Sequence, residues 1–217
     1  MILDLSNMKL ELSQSLVELL IESSVTHLDI SNNELITLPD NFDKLSLIFL
    51  NISKNNLTYI PEAIINIDSL QTLWIANNNL TSLPESINKL SLLQFLDLSN
   101  NKLTNITEIL ALPLVILYLS NNKLTYLPDN FDNLFNLYRL DISDNYLTEL
   151  PKSFVNLSSL RMLYSSNNKL IHLPDNFSQL SFIHLYLYIN PLTNYTKNIL
   201  EELRKPYNTF INTSVGY

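Results

Sequence analysis

Leu28-Asp29-Ile30-Ser31-Asn32-Asn33-Glu34-Leu35-Ile36-Thr37-Leu38-Pro39 returns, with the same internal spacing, as Leu73, Ile75, Asn78, Leu80, Leu83 and Pro84. The pattern continues across almost all of the 217 residues with a period of 21 to 23. A fixed period of that length marks a solenoid, in which each unit buries its apolar face only by stacking on its neighbours. No compact single-core fold is expected.

The register can be followed column by column. Positions equivalent to Leu28 are Leu50, Leu73, Leu96, Leu117, Leu140, Leu163 and Leu185. Five residues later stand Asn33, Asn55, Asn78, Asn101, Asn122, Asn145, Asn168 and Asn190, without exception. Two further on, Leu35, Leu57, Leu80, Leu103, Leu124, Leu147, Leu170 and Leu192 form a second unbroken column.

Each column has a physical task. Alternation such as Leu28-Asp29-Ile30 sends two apolar side chains inward and one outward, as a strand does. The chain must then turn with its backbone buried. An Asn amide both donates and accepts, so a stack of them can satisfy N–H and C=O groups of successive turns. Asn101 is therefore expected inside, and its neighbour Asn100 outside and tolerant of Ala.

On the return half, Pro39, Pro61, Pro84, Pro128, Pro151 and Pro174 fix the backbone ahead of a short helical turn. Phe42, Ile64, Ile87, Phe131, Phe154 and Phe177 follow three residues later, and Leu45, Ile67, Leu90, Leu134, Leu157 and Leu180 three after those. Both sets are expected to complete the core.

These columns resemble the leucine-rich repeat family, and the Leu-Pro units are similar to its intracellular Ras-group repeats. The resemblance implies an α/β solenoid, a horseshoe with a concave parallel β-sheet and short helical or irregular segments on the convex side. Residues 25–46, 47–69, 70–92, 93–113, 114–136, 137–159 and 160–181 are read as repeats, after a degenerate first repeat at 1–24. A terminal half repeat and cap occupy 182–217. One unit departs from the pattern: Ile106-Thr107-Glu108 lacks the Pro, and its repeat is 21 residues long.

Composition narrows the setting. Forty-six per cent hydrophobic residues can supply an extended core, and there is no Cys, only Gly216, and a net charge of −8. Without Cys there are no disulfide caps, and a reducing, cytoplasmic location is the simplest expectation. Neither a signal peptide nor a run of about 20 apolar residues is seen, so no membrane association is expected. Sequons at Asn51, Asn79, Asn105 and Asn176 are read as accidents of a chain rich in Asn, Ser and Thr. The acidic balance and scattered Lys and Arg argue against nucleic acid.

The ends break the pattern, as solenoid termini should. Met8 stands in an Asn place, and Ser15 with Glu18 fits a capping box for an amphipathic helix near 14–22. At the far end Asn194 is a candidate cap for a helix with Thr196, Ile199, Leu200 and Leu203 on one face, stopped by Pro206. Residues 207–217 show no pattern.

No enzyme can be assembled from these residues. A Gly-rich phosphate loop and a thiolate are both excluded, and of the three histidines His27 and His184 share a column seven repeats apart, roughly 34 Å at strand spacing. No metal and no cofactor are expected. Asp97 and Asp141 lie two repeats apart, at roughly 10 Å, a separation open to acid and base chemistry, but a structural or partner-binding role is favoured for them.

Function is sought on the concave face. One outward column reads Asp4, Asp29, Asn51, Trp74, Asp97, Tyr118, Asp141, Tyr164 and Tyr186. Two residues earlier the other reads Ile2, His27, Phe49, Thr72, Phe95, Ile116, Arg139, Met162 and His184. Phe49, Trp74, Phe95, Ile116 and Tyr118 are expected to form a contiguous patch, of the kind that marks an interaction surface; the alternative is that these aromatics only stabilise one another across the strands, and binding is favoured. Tyr138, Tyr164, Tyr186 and Tyr188 with Arg139 either extend it or cover the weakening sheet edge. Ser165 replaces an inward Leu or Ile and needs a backbone partner. The resulting reading is a non-enzymatic scaffold that holds a partner protein on its concave face. The alternatives are a regulatory subunit of an enzyme such as a phosphatase or small GTPase, or a substrate adaptor for a ubiquitin ligase.

Overall fold

The computed structural model describes residues 1–194, 196 and 200, and the backbone of 210–212. Ten three-residue strands form one parallel sheet in strict chain order. They are β1 (Ile2–Asp4), β2 (His27–Asp29), β3 (Phe49–Asn51), β4 (Thr72–Trp74) and β5 (Phe95–Asp97). Then come β6 (Ile116–Tyr118), β7 (Arg139–Asp141), β8 (Met162–Tyr164), β9 (His184–Tyr186) and β10 (Phe210–Asn212). Leu28 pairs in register with Leu50, Leu50 with Leu73, and so on to Leu185. Because the centres of β1 to β9 are inward Leu, both outward columns are continuous from strand to strand.

The return halves contain single turns: a short α-helix at Glu62–Ile65 and 3₁₀ turns such as Asp40–Lys44, Glu85–Lys89 and Lys152–Asn156. Pro39, Pro61, Pro84 and Pro151 stand immediately before them with φ near −65°. In the repeat that lacks the Pro, Asn105 Oδ1 accepts from the N–H groups of Ile106 and Thr107, and a 3₁₀ turn follows at Thr107–Ile109. Behind the sheet the fully buried Phe131, Phe154 and Phe177 stack ring on ring at 6.0 and 6.3 Å.

The inner turn is built on the Asn column. Each Asn Oδ1 accepts the N–H of the Leu column in the turn before it: Leu57 to Asn78, Leu80 to Asn101, Leu103 to Asn122, Leu124 to Asn145, Leu147 to Asn168 and Leu170 to Asn190, all at 3.0 Å. Nδ2 donates to carbonyls of its own turn and of the preceding one, as Asn78 does to Ile75 and Ile52. Asn33 and Asn55 do the same, Asn33 accepting from Met8 and Leu10 in the turn that has Met8 in the Asn place.

A second turn feature accompanies this column. The residue before each ladder Asn has positive φ: Asn32, Lys54, Asn77, Asn100, Asn121, Asp144 and Asn167 all lie between 53° and 58°. Asn and Asp tolerate this left-handed region better than other non-glycine residues, which suits a chain with one Gly. Asn100 does face solvent, and its left-handed backbone at φ 56° is one in which Ala is disfavoured relative to Asn, which argues against free tolerance of Ala there.

Three expectations at the ends need correction. The helix at Gln14–Glu22 is present, but its cap is Ser13, whose Oγ accepts from Leu16 N–H, and Ser15 lies inside the first turn. In the tail, β10 pairs with β9 with Ile211 opposite Leu185, so β9 is not the edge of the sheet. At the proposed C-terminal helix, Asn194 is itself helical and not the cap, Thr193 Oγ1 accepts from Thr196 N–H at 3.5 Å, and Thr196 and Leu200 are helical and buried. Ile199, Leu203 and Pro206 lie outside the described residues.

Candidate functional site

The concave face is the outward surface of β1 to β9, and its two columns differ in chemistry. In the column that begins at Asp4, the carboxylates serve the backbone. Asp4, Asp29, Asp97 and Asp141 each accept, through Oδ1, the N–H of the Ser two residues on, at 2.8 to 2.9 Å. Asn51 does the same for Ser53 at 3.1 Å. Such a side chain closes the strand end as a local turn. This bond holds the exposed Asp4 carboxyl below the ordinary carboxylate range. Asp141 shifts the other way, because burial raises its pKa more than the Ser143 bond and the nearby Arg139 lower it.

At β4, β6, β8 and β9 this capping residue is replaced by Trp74, Tyr118, Tyr164 and Tyr186. Trp74 is 42% exposed and Phe95 37%, whereas their neighbours Leu73, Ile75 and Leu96 are buried. Phe49, Ile116, Tyr118, Arg139, Tyr164 and Tyr186 are each half-buried. His27, Phe49 and Trp74 form a run, the first two rings stacked at 6.0 Å and the second pair edge to face at 5.0 Å.

The C-terminal half of the groove is organised by one cation. The Arg139 guanidinium sits 5.1 Å from the Tyr118 ring and 4.9 Å from the Tyr164 ring, between two aromatic faces. Tyr164 in turn stacks on Tyr186 at 4.8 Å, within 9° of parallel. Arg139 thereby joins Tyr118 to the C-terminal tyrosines Tyr164 and Tyr186. Tyr118 is less exposed than Trp74, and its burial raises the phenol pKa against the opposing pull of the Arg139 charge. Sequence spacing places Arg139 and both tyrosines on the face, but the sandwich depends on side-chain torsions that spacing does not encode.

With β10 beyond β9, Tyr186 is interior to the sheet, which removes edge-covering as the reason for this tyrosine group. Ser165 is fully buried and its Oγ has no hydrogen-bond partner among the described residues, so the inward hydroxyl is a weak point. Among the described residues no three His, Cys, Asp or Glu side chains cluster as metal ligands would, and no helix is long and apolar enough to cross a membrane.

Comparison with known proteins agrees with this architecture. The chain has no match among curated proteins. A solved leucine-rich repeat protein of Leptospira interrogans is 29% identical with a TM-score of 0.77, over 92% of this chain and 57% of the other. An internalin of Listeria monocytogenes, 21% identical, shares the fold at a TM-score of 0.77 over 93% of this chain and 59% of its own. This chain thus spans under two thirds of either. The ectodomain of a plant membrane receptor kinase from Arabidopsis thaliana, solved in complex with Casparian strip integrity factor 2, is 30% identical with a TM-score of 0.70 over 88% of this chain and 24% of the other. The family model described as "Leucine Rich Repeat" matches residues 24–45, 46–67, 113–134 and 136–157, and that described as "Leucine Rich repeats (2 copies)" matches 68–111. Unbroken Leu and Asn columns, a parallel sheet in chain order and these matches lead to one conclusion: the chain belongs to the leucine-rich repeat family, whose domains are interaction scaffolds.

Proposed function

We propose that this chain is a non-enzymatic scaffold that holds an extended segment of a partner protein along its concave face. Phe49, Trp74, Phe95, Ile116, Tyr118, Arg139, Tyr164 and Tyr186 are the contact residues. One observation carries the reading: four aromatic side chains stand where other repeats keep an Asp or Asn that caps the strand end. Each aromatic forgoes a hydrogen bond worth about 0.5–1.5 kcal/mol net and presents a large apolar face to the groove instead. Central Trp, Tyr and Arg are also the residues that most often anchor interfaces. The Arabidopsis relative, solved with a bound partner, supports the same use of the fold. The absence of Cys suits work in a reducing, cytoplasmic setting.

The test is to pan a random peptide library against the full chain and follow the fluorescence of Trp74, the single tryptophan. Selected peptides should change that emission and should lose binding to Trp74→Ala and Tyr164→Ala. They should bind normally to a variant at the exposed Tyr126, which lies outside the strands. Binders sensitive to Tyr126 and indifferent to both concave variants would refute the proposal.

A further inference from the structure

The Arg139 sandwich is a template for a second site. Tyr118, Asp141 and Tyr164 are in register on β6, β7 and β8, an aromatic, a carboxylate and an aromatic, and the Arg139 guanidinium lies between the two rings, held by them and not by an ion pair to Asp141. Trp74, Asp97 and Tyr118 on β4, β5 and β6 repeat this arrangement in the same column. The middle strand there carries Phe95 in the place of Arg139. The carboxylate and the aromatic walls are thus kept, and the cation is missing.

We infer that the slot over Asp97, between Trp74 and Tyr118, takes an arginine side chain from the partner; this rests on the concave-face reading above. The walls are two strand spacings apart, roughly 10 Å, the separation at which Tyr118 and Tyr164 hold Arg139. A cation centred between them lies within about 6 Å of each ring. Asp97 Oδ1 accepts from Ser99 N–H at 2.9 Å, and Oδ2 has no hydrogen-bond partner among the described residues. At Asp29, by contrast, Oδ2 is taken by Asn51 Nδ2 at 2.8 Å. A guanidinium is planar, stacks on aromatic faces and offers paired N–H donors to a carboxylate, which is the combination of groups that Trp74, Tyr118 and Asp97 present. The net charge of −8 favours the approach of a basic segment.

The experiment titrates Nα-acetyl-arginine amide, and its neutral isostere Nα-acetyl-citrulline amide, into isotope-labelled full chain. The readout is the indole N–H resonance of Trp74. The arginine amide should shift it saturably, and citrulline at least about tenfold more weakly. Asp97→Asn should weaken the arginine response about tenfold while leaving the turn closed, because Asn51 already closes the same turn in its own repeat. Phe95→Arg should abolish the response by supplying the cation internally. An equal response to citrulline, an unchanged response in Asp97→Asn, or no saturable shift would overturn the inference. Library-selected peptides separate this failure from that of the underlying reading. Peptides that need Trp74 but carry no arginine overturn the slot alone, and peptides indifferent to Trp74→Ala and Tyr164→Ala overturn the concave site itself.

Discussion

Replacing Asn101 by Ala removes a buried amide, 8% exposed, at the centre of the ladder. Four hydrogen bonds disappear: one from Leu80 N–H at 3.0 Å, and three donated to the carbonyls of Ile75, Leu98 and Ser99 at 3.0 to 3.3 Å. They are not equivalent. Ile75 C=O still accepts from Asn78, and Leu98 C=O from Asn122. The Leu80 N–H loses its acceptor, in a residue with no exposed surface. An orphaned buried donor costs about 1–3 kcal/mol, and the lost secondary bonds place the expectation near 2. For a chain of this length that lowers Tm by about 4–8 °C. Urea and thermal unfolding should be followed by circular dichroism and by Trp74 fluorescence, since a solenoid can unfold locally. The control is Asn100→Gly, which removes an exposed side chain but keeps φ near 56° accessible. An unchanged midpoint for Asn101→Ala, or an equal loss in the control, would refute the ladder account.

Two further perturbations probe stability. Ser165→Ala deletes a buried hydroxyl that has no partner among the described residues and should raise stability by about 1 kcal/mol in urea unfolding; a loss would show that the hydroxyl is satisfied. Asp141 has its folded pKa raised by burial, so the folded chain holds this proton more tightly than the unfolded chain does. The group therefore favours folding most below its unfolded pKa, and that contribution is lost as pH rises through the folded value. Asp141→Asn should accordingly be more stable than the parent at neutral pH, with the advantage fading in acid. A gain that grows on acidification would contradict the assignment.

The repeat frame was legible because inward Leu and ladder Asn recur at the same spacing wherever the physical demand recurs. The left-handed column was equally available as Asn32, Asn77, Asn100, Asn121, Asp144 and Asn167, but its signal is polar residues at the surface, which solubility also explains. Ile189, a β-branched residue at φ 54°, carries no such signal and stands in a conformation its side chain disfavours. Strand β10 was hidden for a different reason. Phe210-Ile211-Asn212 echoes Phe49-Leu50-Asn51, but it lies 26 residues beyond its partner at His184, outside the period of 21 to 23. On the concave face, alternation identifies which side chains point outward. The capping role of the aspartates and the clamping of Arg139 follow from hydrogen-bond and ring geometry that appear only once the strands are aligned.

The central claim is that the aromatic strip binds rather than braces, and the affinity of one library-selected peptide per folded molecule tests it most directly. Trp74→Ala should leave the midpoint of unfolding nearly unchanged and weaken binding by about 2 kcal/mol, close to thirtyfold. Phe131→Ala, in the buried convex stack, should do the reverse, losing about 3–5 kcal/mol of stability while its folded fraction binds normally. Equal stability losses in both variants, with affinity preserved in each, would contradict the account.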